Sequence, residues 1–193
     1  MKFNAFVFAR GGSKGLKNKN ILELDGKPLI NHSIDIAKEI EEVENIYVST
    51  DDIEIANIAR NNGALIINRP KELAEDNSSE WLAWQHAIKY VFNNFKVFDG
   101  FLSLPATAPL RSRKDVEKCL KKLKDDADMI VSISESRKHP AFNMVKVFDN
   151  GQLSLLEILD NNIIRRQDVQ KVYDLTTVAY ASRAKHILNS AGI

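Results

Sequence analysis

Short apolar runs alternate with helical hydrophobic stripes from Phe3 to Ser134, and this alternation restricts the fold more than any other feature of the sequence. Each run has the length of a buried strand. The predicted strands lie at residues 3–9, 46–49, 64–67, 100–104 and 129–134. Because successive strands joined by helices require crossover connections, we predict an α/β fold with a doubly wound, mainly parallel sheet.

The pattern changes beyond residue 134. Asn150-Gly151 separates apolar runs at 142–148 and 153–156, which is a strong signal for a β-hairpin. The apolar run at 178–181 then predicts a strand that returns to the main sheet.

The excursion between these points, from Lys138 to about Val172, is predicted to be a flap or a dimerisation arm. Long excursions inside a compact domain are usually functional or form interfaces, and an isolated hairpin is only marginally stable. We therefore predict one domain spanning residues 1–193, with an inserted arm at about 138–172, that assembles as a homodimer.

The composition excludes several classes of protein. Of 193 residues, 44% are hydrophobic, which suffices for a full core without disulfides or a structural metal. A net charge of +1 argues against a general nucleic-acid surface. The one cysteine, Cys119, falls in a helical pattern and is predicted to be buried, inert and reduced. No apolar run reaches the length of a membrane span, and the opening run ends at Arg10, too soon for a signal peptide, so we expect a cytoplasmic protein.

The loop after the first strand, residues 10–20, concentrates glycine and positive charge, and no acidic residue follows before Glu23. Its glycines, its hydroxyl and its cations are Gly11, Gly12, Gly15, Ser13, Arg10, Lys14, Lys17 and Lys19. Glycine frees backbone N–H groups to point inward, and cationic side chains around them can hold a polyphosphate. A solvated basic turn is the alternative, but charge alone would not need three glycines. The loop also follows the carboxyl end of a strand, where α/β sheets bind ligands.

Two familiar phosphate-binding motifs are absent from this loop. The P-loop pattern of Gly, four residues and Gly-Lys-Ser/Thr has no matching register. The dinucleotide fingerprint G-x-G-x-x-G fails because Ser13 stands where the second glycine would follow Gly11. The sequence therefore does not support an ordinary ATPase or a Rossmann dehydrogenase.

Local signals assign other polar side chains to helix starts. Asp51 followed by Glu54 predicts a capping box, which we favour over metal binding by Asp51 and Asp52. Ser78 or Ser79 can cap the next long helix. The apolar stripe of that helix is predicted to be core and not a cofactor site: Trp81, Trp84, Ile88, Val91 and Phe95.

The segment after the fourth strand, residues 105–111, begins with Pro105 and is predicted to be rigid, with Arg111 presented at its end. Ser112 can cap the helix that follows.

Several motifs, taken together and in this order, resemble those of the acylneuraminate cytidylyltransferase family, which includes the CMP-sialic acid synthetases. The family pattern covers nearly the whole chain. The motifs are ARGGSKGLKNKN at 9–20, GKPLI at 26–30, STDD at 49–52, RP at 69–70 with ELA at 72–74, PLR at 109–111 and RRQD at 165–168. The resemblance implies a nucleotide-diphospho-sugar transferase-like fold and a reaction in which the anomeric hydroxyl of a nine-carbon 2-keto sugar acid attacks the α-phosphorus of CTP and pyrophosphate leaves.

The resemblance also implies roles for individual residues. The triphosphate-binding residues would be Arg10, Gly11, Gly12, Ser13, Lys14, Lys19 and Asn20, with Arg10, Lys14 and Lys19 contributing to catalysis. Cytidine contacts would come from Arg69 and Ser79, with Ser78 as the alternative register. The sugar side would be formed by Thr107, Arg165, Gln167 and Tyr180.

A sugar carboxylate calls for a guanidinium, which can hold it by two parallel hydrogen bonds. Arg165 or Arg166 could provide it. The alternative is that these arginines form surface ion pairs with Asp160 or Asp168.

This chain departs from the family pattern on the sugar side. Pro105 stands where many relatives have a glutamine, and Thr176-Thr177-Val178 replaces Asn-Gly-Ala. Both changes resemble variants that activate bacterial sugars such as legionaminic acid. Other sugar acceptors, namely an eight-carbon keto acid or a sugar phosphate, and a non-catalytic nucleotide-binding paralogue are the alternatives.

The family implies Mg²⁺ as cofactor. Relatives bind it through aspartates of a C-terminal segment, and this sequence ends at Ile193, before that segment would appear. We expect either that the chain continues beyond this sequence or that the metal site is incomplete, and we assign no metal ligand.

Overall fold

The structure is a computed structural model that describes residues 1–123, 126–158 and 165–193, without the side chain of Arg166. These residues fall into two compact units, Met1–Ser132 with Thr177–Ile193, and Ile133–Thr176. The segment predicted as an arm, 138–172, lies within the second unit. The first unit carries the opening strand and its basic loop.

The order of strands and helices follows the predicted alternation. The strands are β1 (Phe3–Phe8), β2 (Glu23–Leu24), β3 (Lys27–Pro28), β4 (Val43–Thr50), β5 (Leu65–Asn68), β6 (Gly100–Ser103), β7 (Met129–Glu135), β8 (Val145–Val147), β9 (Leu153–Leu155) and β10 (Tyr173–Arg183). The helices are α1 (Leu29–Lys38), α2 (Ile53–Asn61), α3 (Glu80–Asn94), α4 (Arg113–Lys122) and α5 (Ala184–Asn189). Short 3-10 turns lie at Lys19–Ile21, Lys71–Leu73 and Arg166–Asp168.

Six of the described strands form one sheet in the order β5-β4-β1-β6-β10-β7. Strand β1 is parallel to β4 and β6, β4 is parallel to β5, and β10 is antiparallel to β6. The predicted mainly parallel α/β sheet and the return of 178–181 to it are confirmed. The chain builds outward from β1 to β5 and then crosses to β6 on the other side of β1. The strand order therefore reverses beside β1, where open α/β sheets bind ligands.

Helices cover both faces of β1. Ala5 and Val7 belong to one hydrophobic cluster with Ile34 of α1. Phe6 points to the opposite face because side chains alternate along a strand, and it joins a second cluster with Trp84 of α3 and Phe101. The rings of Phe6 and Phe101 lie 4.9 Å apart. Trp81, Trp84, Ile88 and Val91 of this stripe are thus core, as predicted. Phe95 follows the end of α3 and is 55% exposed, so its assignment to the core was wrong.

Helix α2 corrects the predicted capping box. The cap is Asp52, whose Oδ1 accepts hydrogen bonds from Glu54 N at 2.8 Å and Ile55 N at 3.0 Å. Asp51 is turned away, and its Oδ1 accepts from Gly11 N at 3.0 Å. The capping assignment to Asp51 was therefore wrong by one residue, because the neighbouring basic loop supplies a different donor to Asp51.

The serine caps differ from one another. Ser112 caps α4 as predicted, since its Oγ accepts from Asp115 N at 3.2 Å. Ser79 occupies the position before α3, but its side chain makes no capping hydrogen bond. The hydroxyl of Ser78 donates instead to Glu72 O at 2.6 Å.

Cys119 is buried on α4, and burial raises the pKa of its thiol. A thiol with a raised pKa is a poor nucleophile at neutral pH, which agrees with the inert role predicted for it. Within the described ranges, none of the helices combines the length and the apolar character that a bilayer crossing would require.

The second unit contains the predicted β-hairpin, formed by β8 and β9. Its turn is closed by Phe148 N donating to Gln152 O at 2.9 Å. Gly151 adopts φ of 81°, a left-handed conformation that glycine tolerates without strain. His139 is also buried in this unit, and its Nδ1 accepts from Ala141 N at 3.1 Å.

The cap at Asp52 predicts different losses of stability for two substitutions of this residue. Asp52→Ala is expected to lower the free energy of unfolding by about 1 kcal/mol, because two N–H groups of α2 lose their acceptor. Asp52→Asn keeps an acceptor and should lose much less. Urea unfolding followed by circular dichroism measures both. An Asp52→Asn loss as large as that of Asp52→Ala would contradict the capping role.

Candidate functional site

A cavity of about 440 Å³ lies at the carboxyl ends of β1, β5 and β6, in the size range of small-ligand sites. One wall is the basic loop, a second is the segment from Arg69 into α3, and a third joins the segment after β6 to β10. The lining residues are Phe8, Arg10, Ser13, Lys14, Gly15, Lys19, Asn20, Arg69, Leu73, Glu75, Asp76, Ser78, Glu80, Ala83, Pro105, Ala106, Thr107, Thr177 and Tyr180. Because the strand order reverses here, neighbouring connections diverge and leave this crevice open.

The basic loop is held in shape by polar contacts at its two ends. Asn20 is buried, and its Nδ2 donates to the Arg10 carbonyl at 3.0 Å, which joins the end of the loop to its start. Gly11 approaches Asp52 so closely that a Cβ there would lie 2.9 Å from Asp52 Oδ2. Gly12 adopts φ of 66°, which disfavours other residues. Gly12 is therefore favoured by its backbone conformation, and Gly11 by the close approach of the Asp52 side chain.

This geometry divides the predicted triphosphate residues into two groups. Arg10, Ser13, Lys14, Lys19 and Asn20 line the cavity. Gly11 and Gly12 lie outside its described lining, and the N–H of Gly11 is already bound to Asp51. In this conformation the groups of the loop that can attract phosphate are cationic side chains and not the N–H of Gly11. The contribution of Gly11 is to shape the loop.

Arg69 is buried at the bottom of the cavity wall. Its Nε donates to Ser49 Oγ at 3.1 Å and its Nη2 to the Ser49 carbonyl at 2.7 Å. The guanidinium lies 5.6 Å from the ring centre of Phe8. Burial lowers the pKa of Arg69 to about 10, so the group stays protonated at neutral pH. Arg69 is thus a fixed cation with one side toward the cavity.

The segment 74–80 supplies the acidic part of the lining. Asp76 Oδ1 lies 2.7 Å from Arg10 Nη2, and its other oxygen contacts Lys14 Nζ. These two cations lower the pKa of Asp76, Lys14 having the larger effect. Ser78, the alternative register, lines the cavity, whereas Ser79 lies outside its described lining.

The wall opposite the basic loop carries Thr107 and Tyr180, both predicted to face the sugar. The hydroxyls of Thr107 and Thr177 lie 3.5 Å apart. Tyr180 packs against Trp84 with ring centres 5.4 Å apart. Burial raises the pKa of Tyr180, with a smaller contribution from Glu80, so the phenol is neutral at physiological pH.

Arg111 differs from the sequence prediction, because it is buried and not presented to the ligand. Its Nη1 donates to Ser33 Oγ at 2.8 Å, and its Nη2 contacts the carbonyls of Pro105 and Thr177. Arg111 therefore joins the segment after β6 to β10 and holds this wall in place. Its pKa is lowered to about 10 by burial, so it also remains charged.

Two predicted sugar-side residues lie in the second unit. Arg165 forms an ion pair with Asp168 at 2.8 Å, the surface alternative considered for it. Gln167 lines a separate cavity within residues 133–176, together with His139 and Gln170. Asp160 and the side chain of Arg166 lie outside the described residues.

No group of three or more His, Cys, Asp or Glu side chains in the described ranges is arranged to hold a metal ion. Asp51, Asp52 and Asp76 each already accept from backbone N–H groups or pair with cations. These residues do not form a donor set that fits Mg²⁺, so no described residue is assigned as its ligand.

Sequence reasoning missed Asp76 as a lining residue. A signal for Asp76 was available, because a loop with four cations and no acidic residue needs a counter-charge from elsewhere. Thr177 belongs to the segment 176–178 that the family resemblance assigned to the sugar side, and it does line the cavity.

The close approach of Gly11 predicts contrasting effects for two glycines of the loop. Gly11→Ala should lower the free energy of unfolding by about 1–3 kcal/mol, because Asp52 cannot move aside without losing its cap on α2. Gly15→Ala should change it little, since a Cβ there meets no atom within 4 Å. Urea unfolding measures both variants, and equal losses would contradict the packing described.

The sequence matches the family described as Cytidylyltransferase over residues 5–189. The post-translational flagellin modification protein B of Campylobacter coli is 32% identical over 97% of this chain and 80% of its own length. The CMP-N,N'-diacetyllegionaminic acid synthase of Campylobacter jejuni is 30% identical, again over 97% of this chain and 80% of its own. The N-acylneuraminate cytidylyltransferase of Streptococcus agalactiae serotype V is 33% identical over 90% of this chain, which spans only 41% of that protein.

Among solved structures, a CMP:2-keto-3-deoxy-manno-octonic acid synthetase complexed with CTP superposes with a TM-score of 0.66. It covers 98% of this chain and 77% of its own, at 19% identity, so the likeness establishes the fold alone. The match over residues 5–189 and the relatives above 30% identity establish more than the fold. This chain belongs to the cytidylyltransferase family.

Proposed function

We propose that this chain transfers CMP from CTP to the anomeric hydroxyl of a nonulosonic acid, a nine-carbon 2-keto sugar acid of the sialic or legionaminic type, and releases pyrophosphate. The observation that carries the proposal is the row of cations Arg10, Lys14 and Lys19 along one wall of the 440 Å³ cavity. Family membership and the names of the relatives supply the reaction class.

In the proposed reaction the anomeric oxygen forms a bond to the α-phosphorus, and the bond from that phosphorus to the bridging oxygen of pyrophosphate breaks. The hydroxyl loses its proton to solvent, and negative charge accumulates on the leaving pyrophosphate. Arg10, Lys14 and Lys19 stand where they can neutralise this charge. Stabilisation by groups placed before the reaction is usually the largest catalytic contribution, since it needs no rearrangement in the transition state.

The nucleoside is proposed to bind on the wall formed by Arg69 and Ser78. Arg69 is immobilised by its two hydrogen bonds to Ser49, so it can present a fixed donor to a base or ribose oxygen. A fixed donor costs less conformational entropy on binding than a free side chain would. The structure favours Ser78 over Ser79 as the nearby hydroxyl.

The sugar acid is proposed to lie against Thr107, Thr177 and Tyr180. The legionaminic type is favoured by the replacement of the family glutamine by Pro105 and by the relative named a CMP-N,N'-diacetyllegionaminic acid synthase. On the family resemblance alone, Arg165 and Gln167 of the second unit are kept as proposed contacts of the sugar, with Arg165 for its carboxylate. Arg165 would then exchange Asp168 for the carboxylate of the sugar, and both ligands suit the same guanidinium geometry.

Three further elements belong to the same proposal. Mg²⁺ is the expected cofactor on the family resemblance, and when bound with a nucleotide it would neutralise phosphate charge. A homodimer formed through the segment 138–172 is proposed from its exposed apolar residues, among them Val147 and Leu153. A cytoplasmic location is proposed because the single cysteine, Cys119, suits a reducing compartment.

The proposed reaction is tested by measuring pyrophosphate release from CTP, with and without Mg²⁺, in the presence of sialic, legionaminic, pseudaminic and eight-carbon keto acids. UTP, ATP and GTP in place of CTP test the base. We expect release with CTP and a nine-carbon acid. Absence of release with every acid, from a chain that includes any C-terminal continuation, would reject the proposed function.

Two lysines of the basic loop give a matched test of the catalytic wall. Lys19→Ala should lower kcat/KM by about a hundredfold, because it removes one of the cations that neutralise the negative charge developing on pyrophosphate. Lys17→Ala removes the same charge from the same loop, but Lys17 lies outside the described lining of the cavity and should matter little. Steady-state kinetics distinguishes them, and similar losses in both variants would assign the effect to net charge alone.

A further inference from the structure

Asp76 occupies the position on the cationic wall that suits a phosphate group. Its Oδ1 lies 2.7 Å from Arg10 Nη2, and its second oxygen contacts Lys14 Nζ. A carboxylate that bridges a guanidinium and an ammonium in this way uses the same donors that a phosphate would use. Arg10 and Lys14, the two cations that a polyphosphate would use here, are therefore already paired with the carboxylate of Asp76.

The backbone that carries Asp76 is anchored independently of these ion pairs. Ser78 N donates to Glu75 O at 3.2 Å, which closes a turn around Asp76. Ser78 Oγ donates to Glu72 O at 2.6 Å, and Ala74 N donates to Lys71 O at 2.9 Å. Rotation of the Asp76 side chain can thus release the cations while the turn itself stays in place.

Arg10 is also attached to the wall without Asp76. Its Nη1 donates to the Ala74 carbonyl at 3.1 Å, and its own carbonyl accepts from Asn20. Loss of the carboxylate at position 76 therefore leaves Arg10 at the cavity and removes only its counter-charge.

The pairs are weak enough to be exchanged. The side chains of Asp76 and Lys14 are 41% and 79% exposed, so water and salt screen their attraction. A polyphosphate carries more negative charge than one carboxylate and can engage both cations at once, so it can replace Asp76.

We propose that Asp76 is a specificity-determining residue that competes with the polyphosphate of the nucleotide for Arg10 and Lys14. The inference rests on the proposed function and deepens it. A ligand that binds Arg10 and Lys14 through phosphates must displace the carboxylate of Asp76. Asp76 therefore lowers the affinity for pyrophosphate but not for a nucleoside without phosphates. In the proposed reaction, the return of Asp76 to the cations favours the departure of pyrophosphate.

The test measures the Kd of pyrophosphate and of cytidine by isothermal titration calorimetry in magnesium-free buffer. Asp76→Asn should bind pyrophosphate roughly three- to tenfold more tightly than the wild type, the range expected for the loss of exposed ion pairs. Its affinity for cytidine should not change. The tightening should shrink as ionic strength rises, because the competing pairs are screened.

Glu75→Gln is the matched control, since it removes the same charge one residue away. Glu75 makes no ion pair with Arg10 or Lys14 in the part of the chain that the structure describes. Glu75 also lines the cavity, but we expect less than about a twofold change in pyrophosphate affinity for this variant, because no ion pair with Arg10 or Lys14 is lost. Asp76→Ser serves as a second variant if thermal unfolding shows that Asp76→Asn is poorly folded.

Each contrary result has a distinct meaning. Weaker or unchanged pyrophosphate binding in folded Asp76 variants would overturn the inference, since Asp76 would then be holding the cations for phosphate and not competing with it. Equal tightening in Glu75→Gln, or tighter cytidine binding in Asp76→Asn, would also overturn it. If Asp76→Asn binds pyrophosphate more tightly but the wild type releases none from CTP with any sugar acid, the inference stands and the proposed function falls.

Discussion

The burial of β1 on both faces is the constraint on which the rest of the first unit depends. Ala5 and Val7 pack under one layer of helices, and Phe6 packs under the other. Both edges of β1 are also occupied, because it pairs with β4 on one side and β6 on the other. The chain can leave such a strand only at its end. The loop 10–20 is therefore delivered to the point where the strand order reverses, and its cations enter the crevice as a consequence of core packing.

Two buried arginines of the first unit remain positively charged. Arg69 and Arg111 both donate to serine hydroxyls and backbone carbonyls. Such partners accept hydrogen bonds from the guanidinium but do not cancel its charge, although Nε of Arg111 is buried without a hydrogen-bond partner among the described residues. Burial lowers each pKa to about 10, which still leaves both groups protonated at neutral pH. Arg69 is thus a cation that the framework fixes in the cavity lining, whereas Arg111 lies outside the described lining and holds the wall in place.

The fold could be read from the sequence to a large extent, because strand-length apolar runs and helical stripes report burial directly. The hairpin at Asn150-Gly151 was equally predictable, since its turn needs a left-handed residue. The cavity was less accessible. Asp51 and Asp52 are adjacent and chemically identical, so only the position of Gly11 decides which of them caps α2. Arg111 satisfied a linear motif, but its burial depends on Ser33 of α1, which is distant in sequence. Contacts of this kind arise from tertiary packing, and no local pattern encodes them.

Pro105 limits what this wall can offer to a substrate. A proline has no side-chain donor, and the carbonyl of Pro105 already accepts from Arg111 and from the Ser33 hydroxyl at 3.3 Å. The polar groups of this wall include the phenol of Tyr180 and the hydroxyls of Thr107 and Thr177, the latter two 3.5 Å apart. A hydroxyl can donate and accept, whereas an amide has separate ends for the two roles. In the proposed reaction, this wall therefore recognises its sugar through groups that can either donate or accept a hydrogen bond.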